Sequence, residues 1–239
     1  FEVRAFKITG IAGGVNSNKD ILFDIMSGRI IPTGGSVIYR SDFMKYGLVC
    51  KDIDEQFFYD NIYEEFLFNL KINNVCDIEK RIVDSLRMVH LDKKILKRNY
   101  FDLSLSEQTK IKIALAISGN PSVLILYEPL FGLDKEDSDV ILKIIRMMRL
   151  RYGKTIVIFS KETDLLYKIC DDVILFNFDV IRTGDKDVIF TDDRLLKKSD
   201  LRLPTNVYFS KLVKRKKKID IGYRSDFDDL IKDIYRFVR

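Results

Sequence analysis

The chain has 239 residues, of which 46% are hydrophobic and 32% are charged. This balance predicts a folded, soluble protein and excludes a disordered or fibrous chain. The formal net charge of +5 permits contact with an anionic surface but identifies none. No stretch approaches the ~20 apolar residues of a membrane span. The three cysteines have no paired or metal-like spacing, so we expect an intracellular chain with reduced thiols.

The predicted strands and helices alternate along the chain. Alternating residues or short apolar runs predict strands at 3–9, 36–39, 47–50, 123–126, 155–159 and 173–176. Apolar residues at helical spacing predict helices at 21–26, across 60–118, and at 140–148, 162–169 and 226–238. Such alternation gives a mostly parallel sheet flanked by helices, so we predict an α/β fold. The single histidine, His90, lies in an apolar stretch at a helix end and is predicted to pack in the core.

A glycine-rich segment at 13–20 follows the first predicted strand and precedes the first predicted helix. Its register matches the pattern G-x-x-x-x-G-K-[ST], in which backbone N–H groups and a lysine meet phosphates and a hydroxyl holds magnesium. Asn18 replaces the second glycine of this pattern, and Asp20 replaces the hydroxyl. Taken alone, the match is weak. The candidate nucleotide-binding residues are Gly13, Gly14, Val15, Asn16, Ser17, Asn18, Lys19 and Asp20.

Four further segments strengthen this interpretation because they follow in a fixed order. They are Leu-Ser-Leu-Ser-Glu at 103–107, Val-Leu-Ile-Leu-Tyr-Glu-Pro at 123–129, Gly-Leu-Asp at 132–134 and Thr-Ile-Val-Ile-Phe-Ser-Lys at 155–161. In order and spacing they resemble the signature, the Walker B strand with its glutamate, the D-loop and the switch segment of ATP-binding cassettes. The resemblance covers roughly residues 3–190 and implies the ABC-type P-loop NTPase fold.

Three finer segments are similar to one branch of the cassettes, the ATPase subunits of energy-coupling factor transporters. They are 55–62, 66–70 and the tail at 201–238 with its Leu-Pro pair. This resemblance implies a nucleotide-binding domain at 1–190, with a helical subdomain at about 52–118, and a C-terminal extension at 191–239. It implies ATP and Mg²⁺ as cofactors. The implied partners are a second cassette subunit in a head-to-tail dimer and an integral membrane scaffold subunit, with this chain peripheral on the cytoplasmic face; no nucleic acid is expected.

The chain departs from such cassettes at nearly every position that performs chemistry. The Walker B aspartate position holds Tyr127, the Q-loop glutamine position holds Lys51 and the switch-histidine position holds Lys161. Glu128, a remnant of the catalytic base, and Lys19 remain. Because phosphoryl transfer depends on positioning and charge neutralisation, we expect no hydrolysis at this chain's own site. Whether that site still binds nucleotide stays open.

The signature and D-loop segments are expected to face a partner's nucleotide site. Leu105 and Ser106 replace the two signature glycines, while Ser104 and Asp134 keep their residue types. In the head-to-tail dimer that the resemblance implies, Ser104, Ser106 and Asp134 are offered to the partner's site. The helix N-terminus at Ser104 favours a phosphate there. We therefore predict one working site in the pair, on the partner's Walker motifs.

Several alternatives stay open at this point. Asp20 either pairs with Lys19, Lys51 or Lys161 in a charge cluster that replaces Mg-ATP, or these side chains are solvated in an empty cleft. The chain is a non-hydrolysing transporter subunit, an active ATPase in which Lys51 and Lys161 neutralise the transition state, or a cassette recruited as an interaction module outside transport. The family carries an adenine-stacking aromatic before the phosphate loop, and only twelve residues precede Gly13; the sequence does not show whether that segment is lost or lies outside it.

Overall fold

The computed structural model of the chain describes residues 1–39, 45–51 and 56–238. Two compact units make up the chain. The first unit comprises Phe1–Val3, Ile8–Lys19 and Phe159–Arg239, and the second comprises Arg4–Lys7 and Asp20–Ile158. This division does not follow the predicted boundary at residue 190, which stays a prediction.

The second unit contains parallel strands and most of the long helices. Its elements are α1 (Lys19–Met26, which begins at the last residue of the first unit's loop), β2 (Tyr46–Val49), α2 (Ile62–Ile72), α3 (Ile78–Met88), α4 (Leu105–Ser118), β3 (Val123–Tyr127), α5 (Lys135–Leu150) and the start of β4 (Thr155–Ser160), with 3-10 turns at Lys93–Lys97 and Tyr100–Asp102. β2 and β3 pair in parallel, with Tyr46 opposite Val123 and Val49 opposite Leu126. Four of the five β3 residues are buried, as expected of a strand covered on both faces.

Side-chain caps fix where the helices of the second unit begin. Asn61 caps α2 by accepting a hydrogen bond from the Tyr63 N–H, and Asp134 caps α5 by accepting from the Asp137 N–H. Ser104 and Glu107 form a capping box at the start of α4. Each cap satisfies a backbone donor that the helix itself leaves unpaired.

The first unit combines a parallel and an antiparallel strand pair with short helices. Its elements are β1 (Ile8–Ala12), α6 (Thr163–Ile169), β5 (Asp172–Asn177), β6 (Asp179–Asp185), α7 (Lys186–Phe190), α8 (Asp193–Lys198), α9 (Thr205–Lys217) and α10 (Phe227–Val238). β1 pairs with β5 in parallel, from Thr9 opposite Asp172 to Ala12 opposite Leu175. β6 returns antiparallel beside β5. All five residues of β1 are buried.

The predicted α/β fold is confirmed, and four details of the prediction are wrong. The first strand covers Ile8–Ala12 rather than 3–9, and residues 36–39 form no strand. β6 was not predicted, because its residues are mostly exposed or half-buried and polar. His90 is exposed and adopts a positive φ of 59° after the end of α3, so it does not pack in the core. Among the described residues, no helix combines the length and apolarity that a membrane crossing requires.

Candidate functional site

The phosphate-loop segment lies in the first unit and is packed tightly at its first glycine. A Cβ added to Gly13 would lie 2.5 Å from the Phe176 carbonyl oxygen and 2.5 Å from Ser17 Oγ. Ser17 is 1% exposed, and its carbonyl accepts a hydrogen bond from the Phe178 N–H at 2.9 Å. Only glycine fits at position 13, because real Cβ atoms do not approach other atoms so closely.

The second residue of the loop is held by the segment that follows α8. The Gly14 N–H donates to the Ser199 carbonyl at 3.0 Å, and a Cβ at Gly14 would lie 2.8 Å from the Cβ of Asp200. The Gly14 carbonyl in turn accepts from Ser17 Oγ at 2.8 Å and from Lys19 Nζ at 3.2 Å. Lys19 is 3% exposed. Its ammonium is therefore directed at the loop's own backbone.

Asn18, at the position of the second glycine, has a left-handed backbone conformation. Its φ is 59°, in the left-handed region, which asparagine tolerates better than most residues. Val15 and Asn16 are exposed, and neither fills the loop. Asparagine is therefore compatible with the positive φ that the loop has at position 18.

Asp20, the first site residue of the second unit, is bound by the predicted site residue Lys51 and by Tyr127, which stands at the Walker B aspartate position. Lys51 Nζ donates to one carboxylate oxygen of Asp20 at 2.7 Å, and the Tyr127 hydroxyl donates to the other. Tyr127 is 6% exposed, and its ring meets the edge of Phe23 at a centroid distance of 5.5 Å. We call Asp20, Lys51 and Tyr127 the Asp20 cluster. Of the three lysines predicted as alternative partners for Asp20, Lys51 makes this contact.

Lys51 stands at the end of β2, where α4 and a nearby glutamine hold the backbone. Lys112 of α4 donates from Nζ to the Cys50 carbonyl at 3.1 Å. Gln56 accepts from the Cys50 N–H at 2.9 Å and donates to the Leu48 carbonyl at 3.1 Å. Gln56 is 8% exposed and Cys50 is 3% exposed. The backbone of Cys50, the residue before Lys51, is thus fixed by hydrogen bonds with Gln56 and Lys112.

The remaining predicted catalytic positions lie at the ends of β3 and β4. Glu128 follows β3, is half-buried and has a φ of 42°, an unusual conformation for a glutamate. Its carbonyl accepts from the Phe131 N–H at 3.0 Å, which begins the turn toward the D-loop. Lys161, in the first unit, follows β4 and is exposed. Glu128 therefore keeps the place after a buried strand that the sequence predicts.

The side chains of the Asp20 cluster do not fit a magnesium ion. Mg²⁺ requires oxygen ligands in near-octahedral geometry, whereas both carboxylate oxygens of Asp20 already accept hydrogen bonds from Lys51 and Tyr127. The Lys51 ammonium repels a cation, and the Tyr127 hydroxyl is used as a donor. Within the described ranges, no group of three or more His, Cys, Asp or Glu side chains is placed to hold a metal. We therefore derive no chemical step through Mg-ATP at this site.

The signature segment is engaged with its own unit. The Ser104 hydroxyl and N–H both donate to the Glu107 carboxylate, at 3.0 and 2.9 Å. The Ser104 N–H lowers the pKa of Glu107, and Arg98 contributes in the same direction at 3.2 Å. Leu105 is 57% exposed, so an apolar side chain projects where the family has a glycine.

Helix α5, which follows the D-loop, contacts the signature segment and α4 through Asp137. Ser106 Oγ donates to one oxygen of Asp137 at 2.6 Å, and Lys110 Nζ lies 2.6 Å from the other. Burial opposes ionisation of Asp137, but Lys110 and the Ser106 hydroxyl outweigh it and lower its pKa. Asp134 accepts from the Asp137 N–H at 2.8 Å. Ser104, Ser106 and Asp134 therefore all have partners within the second unit.

Some residues that shape the site carry no signal in the sequence. Gln56 and Lys112 are single polar residues in helical or irregular segments, and nothing in their spacing marks them. Ser199 and Asp200 lie almost 200 residues beyond the loop that they contact. Such contacts become visible only when the chain is folded, because they join positions that are distant in sequence.

Comparison with known proteins agrees with this architecture. The ABC transporter family model matches residues 1–131. The energy-coupling factor transporter ATP-binding protein EcfA2 of Clostridium perfringens (strain 13 / Type A) is 30% identical, with 90% of this chain and 81% of the relative covered. EcfA3 of Oenococcus oeni is 28% identical, with 90% and 80% covered.

A solved structure shows the same fold at a similar level of identity. CbiO1 of Clostridium perfringens, described as part of the ABC transporter complex cbiONQ, superposes with a TM-score of 0.67 at 26% identity, covering 88% of this chain and 90% of that one. The predicted cassette fold is thereby confirmed. Since the family model matches more than half of the chain, this protein belongs to the ABC transporter family, and its relatives include ATP-binding proteins of energy-coupling factor transporters.

Proposed function

We propose that this chain is the non-hydrolysing cassette subunit of an energy-coupling factor importer. It pairs head to tail with a catalytically competent cassette subunit and is held at the cytoplasmic face of the membrane by an integral scaffold subunit. The observation that carries the proposal is the Asp20 cluster. Three positions that serve magnesium or its phosphates in the family hold residues that bind one another instead.

Electrostatics supports the loss of activity at this site. A carboxylate about 4 Å from a phosphate oxygen costs roughly 4 kcal/mol at an effective dielectric constant of about 20. That cost corresponds to about a thousandfold in affinity. Lys51 offsets part of it, but only while it remains paired with Asp20. Glu128 alone does not restore hydrolysis, because the reaction depends on placing the phosphates and neutralising their charge.

The role for the partner's site rests on the start of α4. Helix α4 is 14 residues long and begins at the signature segment, so its dipole favours an anion near Ser104. Leu105 adds bulk at this surface. We therefore propose that this chain completes the partner's site, and that it does so less well than a chain with the family's glycines.

The proposed contact with the scaffold is a groove in the second unit. The groove has a volume of about 230 Å³, and its lining includes Tyr46, Phe58, Phe68 and Ile72. Phe58 is 72% exposed and Ile72 is 63% exposed. The lining also includes polar side chains such as Glu65 and Asn69, and a groove with both aromatic and polar lining suits a short amphipathic helix of the scaffold. Part of its lining, including Phe58 and Phe68, lies in the segments that resemble the family's region after the Q-loop.

Phosphate release tests the catalytic part of the proposal. The purified chain with Mg-ATP should show no turnover above background, while its complex with a competent cassette subunit should hydrolyse ATP. In that complex Ser104→Arg should reduce turnover, because it places a bulky side chain at the partner's phosphates. Ser36→Arg, at another exposed serine, is the matched control. Turnover by the chain alone would refute the proposal, and full activity of the Ser104→Arg complex would refute the role in the partner's site.

Co-purification with the scaffold tests the groove. Phe58→Glu should strongly reduce recovery of a co-expressed scaffold subunit, because it places a charge in an apolar contact. Tyr152→Glu changes an aromatic residue that is 54% exposed and lies outside the groove lining, and it should leave recovery unchanged. Equal recovery with both variants would place the docking surface elsewhere.

A further inference from the structure

The Asp20 cluster connects three separate elements of the second unit. Asp20 lies in the first turn of α1, Lys51 follows β2, and Tyr127 ends β3. Lys51 connects the end of β2 to α1 through its 2.7 Å contact with Asp20. All three partners belong to the chain itself. The connection therefore needs neither nucleotide nor metal.

The residue before Lys51 belongs to the groove. Cys50 lines it, as does Gln56, and Lys112 and Gln56 bind the Cys50 backbone from two sides. Cys50 is 3% exposed. Because residues 50 and 51 are adjacent in the chain, a displacement of Lys51 also displaces Cys50 and strains its backbone hydrogen bonds with Gln56 and Lys112. The peptide bond between Cys50 and Lys51 thus connects the Asp20 cluster directly to the groove.

We propose that the Asp20 cluster holds Cys50 and Lys51, the two residues that follow β2, in one position, so that Cys50 keeps its place in the groove wall whether or not nucleotide is present. Lys51 supplies within the protein the positive charge that a bound metal would bring. A ligand shifts a conformational equilibrium only by its different affinities for the two states. Mg-ATP could gain such leverage here only by breaking the contacts that Asp20 makes with Lys51 and Tyr127. The assignment of a scaffold to the groove rests on the proposed function, but the nucleotide-independent position of Cys50 does not.

The cysteines provide the test. Cys50 and Cys170 are buried, and Cys76 is exposed, so a Cys76→Ser background leaves two protected thiols. The rate at which a thiol reagent modifies Cys50, followed by peptide mass mapping, reports local opening around Lys51. Cys170 lies in the first unit and serves as an internal reference. In the Cys76→Ser protein, Cys50 should react slowly, and saturating Mg-ATP should not change its rate.

Two variants should release Cys50 while leaving Cys170 protected. Lys51→Met removes a partly exposed ion pair and should raise the Cys50 rate by about two- to fivefold. Asp20→Ala removes both contacts of the cluster and should raise it further. Lys93→Met, at an exposed lysine, is the control and should leave both rates unchanged. Circular dichroism confirms that each variant is folded, and if Asp20→Ala fails this check, Lys51→Met carries the test.

Three results would overturn the inference. They are rapid modification of Cys50 in the parent protein, an unchanged Cys50 rate in folded Lys51→Met, and a Cys50 rate that responds to Mg-ATP. The outcome is separable from that of the proposed function. ATP turnover by the isolated chain would refute the proposed function without altering the Cys50 rates, and an unprotected Cys50 would refute the inference without creating turnover.

Discussion

Replacing Asp20 with alanine removes two contacts of unequal strength, and their difference can be worked out from the structure. The Lys51 and Asp20 side chains are 49% and 39% exposed, so their ion pair should contribute only about 0.2–1 kcal/mol to stability. Tyr127 is 6% exposed, and its hydroxyl donates to the carboxylate of Asp20. A hydrogen bond of that kind contributes about 1.5–3 kcal/mol. The tyrosine contact should therefore dominate.

A double-mutant cycle measures each contact separately. Asp20→Ala combined with Tyr127→Phe should give a coupling energy of about 1.5–3 kcal/mol, because phenylalanine keeps the ring against Phe23 and removes only the hydroxyl. Asp20→Ala combined with Lys51→Met should give less than about 1 kcal/mol. Asp20→Asn, which keeps an acceptor for Tyr127, should cost less than Asp20→Ala.

Urea unfolding followed by far-UV circular dichroism and by tyrosine fluorescence is the assay. Coincident transitions from the two probes are required before the free energies of unfolding are compared. Glu136→Ala, at an exposed carboxylate, is the control and should stay within about 0.5 kcal/mol of the parent protein. A coupling between Asp20 and Tyr127 below about 0.5 kcal/mol, or one smaller than that with Lys51, would refute the reasoning.

Three further predictions concern other parts of the chain. The Glu65 carboxylate accepts hydrogen bonds from the Phe58 and Tyr59 N–H groups at 2.8 and 3.1 Å, and burial raises its pKa. In urea unfolding, Glu65→Ala should lower the free energy of unfolding by about 1–3 kcal/mol, whereas Glu65→Gln, which keeps an acceptor, should lower it much less. Equal losses would contradict this prediction. Gly13→Ala should lower the free energy of unfolding by about 1–3 kcal/mol. The control Gly34→Ala, where the added Cβ meets nothing within 4 Å, should not lower it. Equal values for the two variants would contradict the prediction and show that the loop relaxes around the added Cβ. The pKa of Asp137 is lowered in the folded protein, so this carboxylate contributes to stability above its unfolded pKa of about 3.9, and the contribution is lost as the pH falls through the folded pKa. Asp137→Asn should therefore flatten the fall in the free energy of unfolding below about pH 4. An unchanged pH profile of stability would count against this prediction.

The sequence predicts best those elements that are apolar, long or both. β3 and α5 appear where continuous apolar residues and helical periodicity place them. β1 was misplaced because a strand buried on both faces does not alternate, and because Gly10 interrupts its apolar run. A Cβ at Gly10 would lie 2.9 Å from Cys170 Sγ, so this glycine reflects close packing rather than a loop. β6 was missed because an exposed, polar antiparallel strand carries little periodic signal.

For the site, residue types could be assigned from order and spacing, but contacts could not. The sequence gives three candidate lysines for Asp20, and the contact with Lys51 depends on the pairing of β2 with β3. The role of Tyr127 as a second partner for Asp20 was not foreseen, because it was considered only as a lost aspartate. The positive φ of Asn18 could not be read from the sequence either, because residues other than glycine seldom adopt it.

The packing around the phosphate loop bears on how degenerate cassettes are recognised. Gly13 has no room for a side chain because of the Phe176 carbonyl, and Gly14 has none because of Asp200. Lys19 is directed at the Gly14 carbonyl. The two glycines are thus required by packing and Lys19 binds the loop's own backbone, so selection for folding can preserve this pattern in a cassette that no longer uses a ligand. A surviving glycine–lysine pattern is then a record of ancestry and stability, and the hydroxyl and acidic positions beside it are the better guide to whether a cassette still uses ATP.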